Sequence, residues 1–309
     1  MAVGLSEARA IDILSSELRA TYGGRVARGV LVGIGDDAAA LRAEKRATVW
    51  STDACCEGSH FLRGWLSAED IAHKSLHAAV SDIAAMGAEA QSALCHLTLP
   101  PWASSAWLRR FAAAQAQVCR DAQVALVGGN VTFLDRLQIV TSVQGCAQPH
   151  QLLRRSGAQP GHEVWLAGQV GKARAGLLLL QAGRGRTRSP ALVECLAAFR
   201  RPRAQQIIGK RLAGRASSCM DLSDGLRSDS AKLAHQSGVA LRINRAALAQ
   251  TLAPALAAAA RALSTSAWEL AWIGGEDYGL LATGPSAQRP RGVQVIGEVT
   301  RGQGVSLCG

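Results

Sequence analysis

The stretch SSCMDLSDGL, Ser217 to Leu226, decides how the chain is read. Ser217 to Leu222 has the length and apolar content of a buried strand. It empties into a turn carrying Asp221 and Asp224, and Gly225 opens a helix to about His235. The same order recurs upstream. Val30 to Ile34 runs into Asp36 and Asp37 of GIGDDAAAL, and Ala47 to Ser51 runs into Thr52 and Asp53 of STDACCEGSH. Asp82, in AVSDIAAMGA, falls instead inside a helix that starts at Ser67, with Asp70 three residues on, and reaches about Met86.

Strands and helices alternate outward from these acidic features. A capped helix follows Ser6, with Ile11, Leu14 and Leu18 on one face. A strand over Ser92 to Leu99 stops at Pro100 and Pro101, and a helix over Trp102 to Arg120 leads to strand Val124 to Val127. A turn at Gly128-Gly129 and strand Leu137 to Gly145 close the first half. Gln148 to Gly161, polar and turn-rich, reads as a linker. The second half restarts with strand Glu163 to Ala167 and helices near Lys172 to Gln181, Pro190 to Phe199 and Arg203 to Leu212. After the opening stretch come strand Val239 to Ile243, an Ala-rich helical region, and strands near Tyr278 to Ala282 and Val293 to Ile296. Two domains, 1–148 and 149–309, are expected.

Composition narrows the class. The chain has 309 residues, 48% of them hydrophobic but only 4% aromatic, so its core is built from Ala, Leu, Val and Ile. Arg261 and Glu269 interrupt the most apolar region, which excludes a membrane span there. Glu7 and Asp12 stand where a signal peptide would be apolar, so a cytoplasmic protein is expected. Eight cysteines without CxxC spacing read as reduced thiols rather than a disulfide frame or a zinc site. The net charge of +11 invites a nucleic-acid partner, but the arginines are scattered and no basic run is interleaved with aromatics, so none is expected.

Clustered acids define the chemistry. Two unpaired carboxylates about 4 Å apart repel by about 4 kcal/mol at an effective dielectric near 20. Converging acids therefore need cations. The hard oxygens of Asp and of the Ser51, Thr52 and Ser223 hydroxyls suit magnesium, which also takes waters and phosphates. GGN at Gly128 to Asn130 leaves room for backbone N–H groups to approach a phosphate. GGEDY at Gly274 to Tyr278 places Glu276 and Asp277 side by side with no cation nearby in sequence, which fits either an exposed turn or a cationic substrate. His60 follows the acidic Thr52-Asp53 turn, whereas His73 and His77 read as helix-surface or core residues. No GxSxG, GxxxxGK[ST] or HExxH pattern is present.

Seven ordered motifs, GIGDDAAAL, STDACCEGSHF, KSLHAAVSDIAAMGA, LVGGN, RSGAQPG, MDLSDGL and GGEDYGLL, are similar to those of thiamine-monophosphate kinases, within the wider aminoimidazole ribonucleotide synthetase superfamily. The resemblance runs from near residue 6 to about residue 304. It implies an α+β protein with a synthetase-like N-terminal domain, a ferredoxin-like sheet with helices that dimerises, and an α/β C-terminal domain. It also implies direct transfer of the γ-phosphoryl of ATP to thiamine monophosphate, with several magnesium ions and no phosphoenzyme. Carried over by position, Asp36, Ser51, Thr52, Asp53, Asp82, Asp221 and Asp224 resemble metal ligands. Gly128, Gly129, Arg155 and Ser223 resemble ATP contacts, and His60 and Glu276 match substrate contacts, the thiazolium cation facing Glu276.

Three departures accompany the resemblance. The family's GGD is GGN here, so Asn130 offers an amide where a carboxylate is usual. Ala122 replaces a frequent Tyr. The chain stops at Cys308-Gly309, where family members continue to an aromatic that packs on the substrate. Two alternatives follow: another ATP-using enzyme of the superfamily, such as selenophosphate synthetase or the hydrogenase-maturation dehydratase, or a nucleotide-binding relic without turnover. A selenophosphate synthetase needs a reactive cysteine near its N-terminus, whereas the first here is Cys55.

Overall fold

The computed structural model describes residues 7–21, 30–32, 40–41 and 45–309. They form two compact units. The first comprises residues up to Val80 and Ala90–Cys146, the second Ser81–Glu89 and Ala147–Gly309. The second unit thus draws a nine-residue segment from inside the first half of the sequence.

In the first unit, α1 (Glu7–Thr21) packs on α3, and β1 (Val30–Val32) pairs antiparallel with β2 (Ala40–Leu41). β3 (Ala47–Cys56) is followed by α2 (Ala68–Ala85), β4 (Glu89–Leu99), α3 (Ser105–Asp121), β5 (Ala125–Phe133) and β6 (Gln138–Ala147). These four longer strands make one sheet in the order β3-β6-β4-β5, β4 and β5 running parallel. The expected capping box is present: the Ser67 amide donates to Asp70 Oδ2 at 3.0 Å and the Asp70 amide donates to Ser67 Oγ at 3.2 Å. Ser104 caps α3 by accepting from the Trp107 amide.

Strand alternation gives the sheet two faces. Cys95, Leu97 and Leu99 of β4 and Ile139 and Val143 of β6 are buried, and Cys95 lies near Gln115 of α3. The other face is open at β3, where Thr48, Trp50 and Thr52 are all exposed and Trp50 reaches 62%.

Gly128 and Gly129 do not form the turn expected from sequence. They lie within β5, which continues through them to Phe133. The register with β4 shifts between Ala93 and Leu94, which leaves Val127 without an opposite residue and sets Gly128 and Gly129 against Leu94 and Cys95. A Cβ on Gly129 would sit 1.8 Å from the Cys95 carbonyl oxygen, so no other residue fits without parting the strands.

The second unit holds β7 (Glu163–Ala167), α4 (Lys172–Gln181), α5 (Pro190–Arg200), α6 (Gln206–Leu212), β8 (Ser218–Asp221), α7 (Leu226–Ser237), β9 (Ala240–Asn244), α8 (Arg245–Thr251), α9 (Pro254–Ala262), α10 (Ala267–Ile273), β10 (Leu280–Gly284), β11 (Gln294–Thr300) and β12 (Gly304–Cys308). Its six strands lie in the order β12-β9-β11-β7-β10-β8, antiparallel except for β12 beside β9. Trp165 anchors the core among Ala85, Leu153, Leu212 and Leu280, and its indole N–H donates to Glu163 Oε2 at 2.7 Å. The segment expected to be a linker is tied to β8, because the Cys219 amide donates to the Arg154 carbonyl at 2.7 Å.

Candidate active site

Asp221 ends β8 in the second unit, where only 4% of it is exposed. Its Oδ2 accepts a 3.0 Å hydrogen bond from Ser81 Oγ, in the last turn of α2, and Asp82 follows directly in sequence. Burial first, and the Asp82 charge second, push the Asp221 carboxyl up to about 7. The Ser81 hydroxyl and the Arg155 guanidinium oppose that rise. Arg155 itself is exposed. Asp82, Asp221 and Arg155, far apart in sequence, are thus brought into one electrostatic neighbourhood.

Two loops continue from this point and are joined through their backbones. The Glu276 amide donates to the Ser223 carbonyl at 2.8 Å, the Tyr278 amide to Leu222 at 3.0 Å, and the Leu222 amide to Gly279 at 2.9 Å. The approach is close. Gly225 has φ +107°, and a Cβ there would meet the Gly274 carbonyl oxygen at 2.6 Å. Ser223 and Glu276, read from sequence as a nucleotide contact and a substrate contact, are therefore neighbours.

Asp224 does not join Asp221 in an acidic pair. Its carboxylate is exposed and ion-paired to Lys232 of α7. Lys232 also reaches Asp229 Oδ1 at 2.8 Å. Asp229 is fully buried, and its Oδ2 accepts the amides of Asp224 and Gly225, each at 3.0 Å. One buried carboxylate thus fixes the backbone of the acidic turn.

In the first unit, Ser51, Thr52 and Asp53 lie inside β3 rather than beyond its mouth, so they alternate in direction. Ser51 and Asp53 share one face. Thr52 points to the open face with Trp50, and its hydroxyl lies 3.0 Å from Ser142 Oγ on β6. The three side chains therefore cannot act side by side. His60 closes the turn after β3: its Nδ1 accepts the Cys56 amide at 3.0 Å, leaving Nε2 to carry the proton of the neutral ring. Asn130 is exposed on β5, its Oδ1 accepting the Val131 amide at 2.9 Å. Ala122 is the C-cap of α3. Asp36 lies outside the described residues.

Residues 35–147 match the family model "AIR synthase related protein, N-terminal domain". The thiamine-monophosphate kinase of Escherichia coli (strain K12) is 34% identical over 84% of this chain and 78% of its own length. The chain belongs to the thiamine-monophosphate kinase family. Among solved structures of the family, the thiamine-monophosphate kinase from Stenotrophomonas maltophilia K279a superposes with a TM-score of 0.86 at 31% identity, covering 96% of each chain. AaThiL complexed with AMPPCP and TMP gives 0.81 at 30% identity, covering 95% of this chain and 92% of that one.

Three side chains that shape the thiamine-monophosphate kinase loops here escape a reading of motifs. Ser81 bonds Asp221 across 140 positions. Asp229 announces itself only as an acid four residues after Gly225, a spacing shared by many helix surfaces. Asp277 has no cation beside it in the sequence GGEDY, yet its carboxylate accepts the amides of Gly171 at 2.6 Å and Ala173 at 3.0 Å, at the start of α4. That helix terminus, not a ligand cation, is the partner of Asp277.

The acids fit magnesium. Asp221 and Asp82 are close enough for one to raise the pKa of the other, and both offer hard oxygens. Among the described residues, no group of three or more His, Cys, Asp or Glu side chains could hold a metal ion. Magnesium usually takes one or two carboxylates and fills its remaining positions with water and phosphate oxygens, which is what such a pair can support.

Proposed function

We propose that this chain transfers the γ-phosphoryl group of ATP to thiamine monophosphate, giving thiamine diphosphate and ADP. The reading rests on the buried Asp221 beside Asp82, found at the motif positions of a chain belonging to this kinase family. AaThiL, solved with AMPPCP and TMP, supports the same pair of substrates. An oxygen of the substrate monophosphate forms the new bond to the γ-phosphorus as the bond from that phosphorus to the β,γ-bridging oxygen breaks. No proton need move when the attacking phosphate is a dianion, and no protein nucleophile is required.

Asp82 and Asp221 would hold magnesium in the second unit, and Ser51 and Asp53 would do so in the first. Asp36 is assigned the same role on its motif alone. Magnesium held there would supply positive charge for the phosphate oxygens. Thr52 serves β3 rather than the metal, and Asp224 acts chiefly with Lys232. Arg155, the Ser223 hydroxyl and the amides of Gly128 and Gly129 orient the ATP phosphates. His60 donates from Nε2 to the substrate phosphate, and the Glu276 carboxylate faces the thiazolium cation. Asn130 contributes an uncharged oxygen where the family has a carboxylate.

The chain acts as a cytoplasmic homodimer. None of its eight cysteines forms a disulfide, which suits a reducing compartment. Dimerisation uses the open face of the four-stranded sheet, where Trp50 is 62% exposed. Replacing Trp50 with Arg should halve the mass seen by light scattering. Incubation of the pure protein with ATP, magnesium and thiamine monophosphate tests the activity: thiamine diphosphate and ADP should appear in equal amounts. Retained ATP binding without product would leave only a nucleotide-binding relic.

A further inference from the structure

Glu276 and Tyr278 both adopt left-handed backbone, with φ of +61° and +49°. Each costs about 1 kcal/mol or more for a residue with a side chain, so two of them in three positions persist only where the surroundings over-determine the turn. The amides of both residues bond to the facing loop at Leu222 and Ser223. Gly275 adds a steric bound, since a Cβ there would meet the Ser223 carbonyl oxygen at 2.5 Å.

Asp277, between the two strained residues, supplies the remaining restraint. α4 begins at Gly171, which has no side chain to cap it. The Asp277 carboxylate takes that place, its two oxygens accepting from Gly171 and Ala173 at 2.6 and 3.0 Å. α4 in turn packs on α5, α9 and α10. The turn is thereby anchored to a rigid helical layer by a residue more than a hundred positions away in sequence from its partners.

We propose that Asp277 is a positioning residue: by capping α4 it fixes the backbone of Glu276, and through it the strength with which the cationic substrate is held. This rests on the reading of Glu276 as a substrate contact. Asp277 touches helix amides, so it governs binding of thiamine monophosphate without governing the ATP side or the transfer step.

Steady-state kinetics of the full-length chain, varying each substrate in turn, tests the proposal with Asp277→Asn and Asp277→Ala. Leu178→Gly, which weakens α4 away from its cap, is the control. Asn keeps one acceptor oxygen and should raise KM for thiamine monophosphate by about tenfold, with Ala raising it further, while kcat and KM for ATP stay within about twofold. The control should lower the melting temperature but leave KM for thiamine monophosphate unchanged. If Asp277→Asn leaves that KM unchanged, or if kcat and both KM values worsen together, the proposal is overturned. Should the wild type make no thiamine diphosphate, the functional reading fails by itself. Amide exchange then decides the positioning role: faster exchange at Glu276 and Tyr278 in Asp277→Asn than in the control supports it, and equal exchange overturns it.

Discussion

Replacing Asp221 with Asn should make the metal-free protein more stable while weakening its response to magnesium. The native carboxyl is raised to about 7 from an ordinary value of 3.8, chiefly by burial and then by Asp82. A raised acid contributes stability that is complete below about pH 4 and is lost as the pH climbs through about 7, because the unfolded chain ionises first. At pH 8 the shift corresponds to ~4 kcal/mol. Asn carries no charge and can still accept from Ser81, but its amide hydrogens need partners, which returns about 1 kcal/mol. The net gain is ~3 kcal/mol, or roughly 6–12 °C in Tm for a unit of this size. Thermal unfolding in EDTA at pH 4.5 and pH 8 measures it, and saturating magnesium should then narrow or reverse the order by stabilising the wild type more than the variant. A variant that melts below the wild type at pH 8 in EDTA, or that gains equally at both pH values, would refute the burial argument.

Three further outcomes follow from packing and charge. Gly129→Ala should cost at least ~3 kcal/mol, because its methyl would lie 1.8 Å from the Cys95 carbonyl, and circular dichroism during urea unfolding should show the loss. Asp229→Ala removes the acceptor of two loop amides and one partner of Lys232, so unfolding free energy should fall by ~3–5 kcal/mol, with faster amide exchange at Asp224 and Gly225. Asn130→Asp restores a carboxylate on an exposed strand position and should tighten magnesium binding several-fold by calorimetry. An unchanged affinity would place residue 130 outside the metal's reach.

The elements were legible where a single local signal governed them. The Ser67–Asp70 capping box marked α2 to within a residue at each end, and Pro100-Pro101 marked the end of β4. Gly128-Gly129 misled because glycine also serves close strand approach, which depends on Cys95 and on a register shift far away in sequence. Asp53 was expected at a strand mouth, yet β3 runs on to Cys56, so alternation separates Thr52 from its neighbours. Motif order identified the acidic positions but not their partners. The Lys232 pair with Asp224 and the Asp277 bonds to α4 are tertiary events without a local signature.

The nine residues Ser81–Glu89 that belong to the second unit have a consequence for biosynthesis. They leave the ribosome long before β7, β8 and the helices they pack against. Ala85, buried in a core with Leu153, Trp165 and Leu212, has no native neighbours from that core until Leu153 and Trp165 have been made, well into the synthesis of the second unit. The second unit therefore has high contact order for this segment and cannot complete its core during synthesis of the first. Variants that slow translation between residues 147 and 221 should lengthen the exposure of this apolar stretch, and with it the interval in which nascent chains can aggregate.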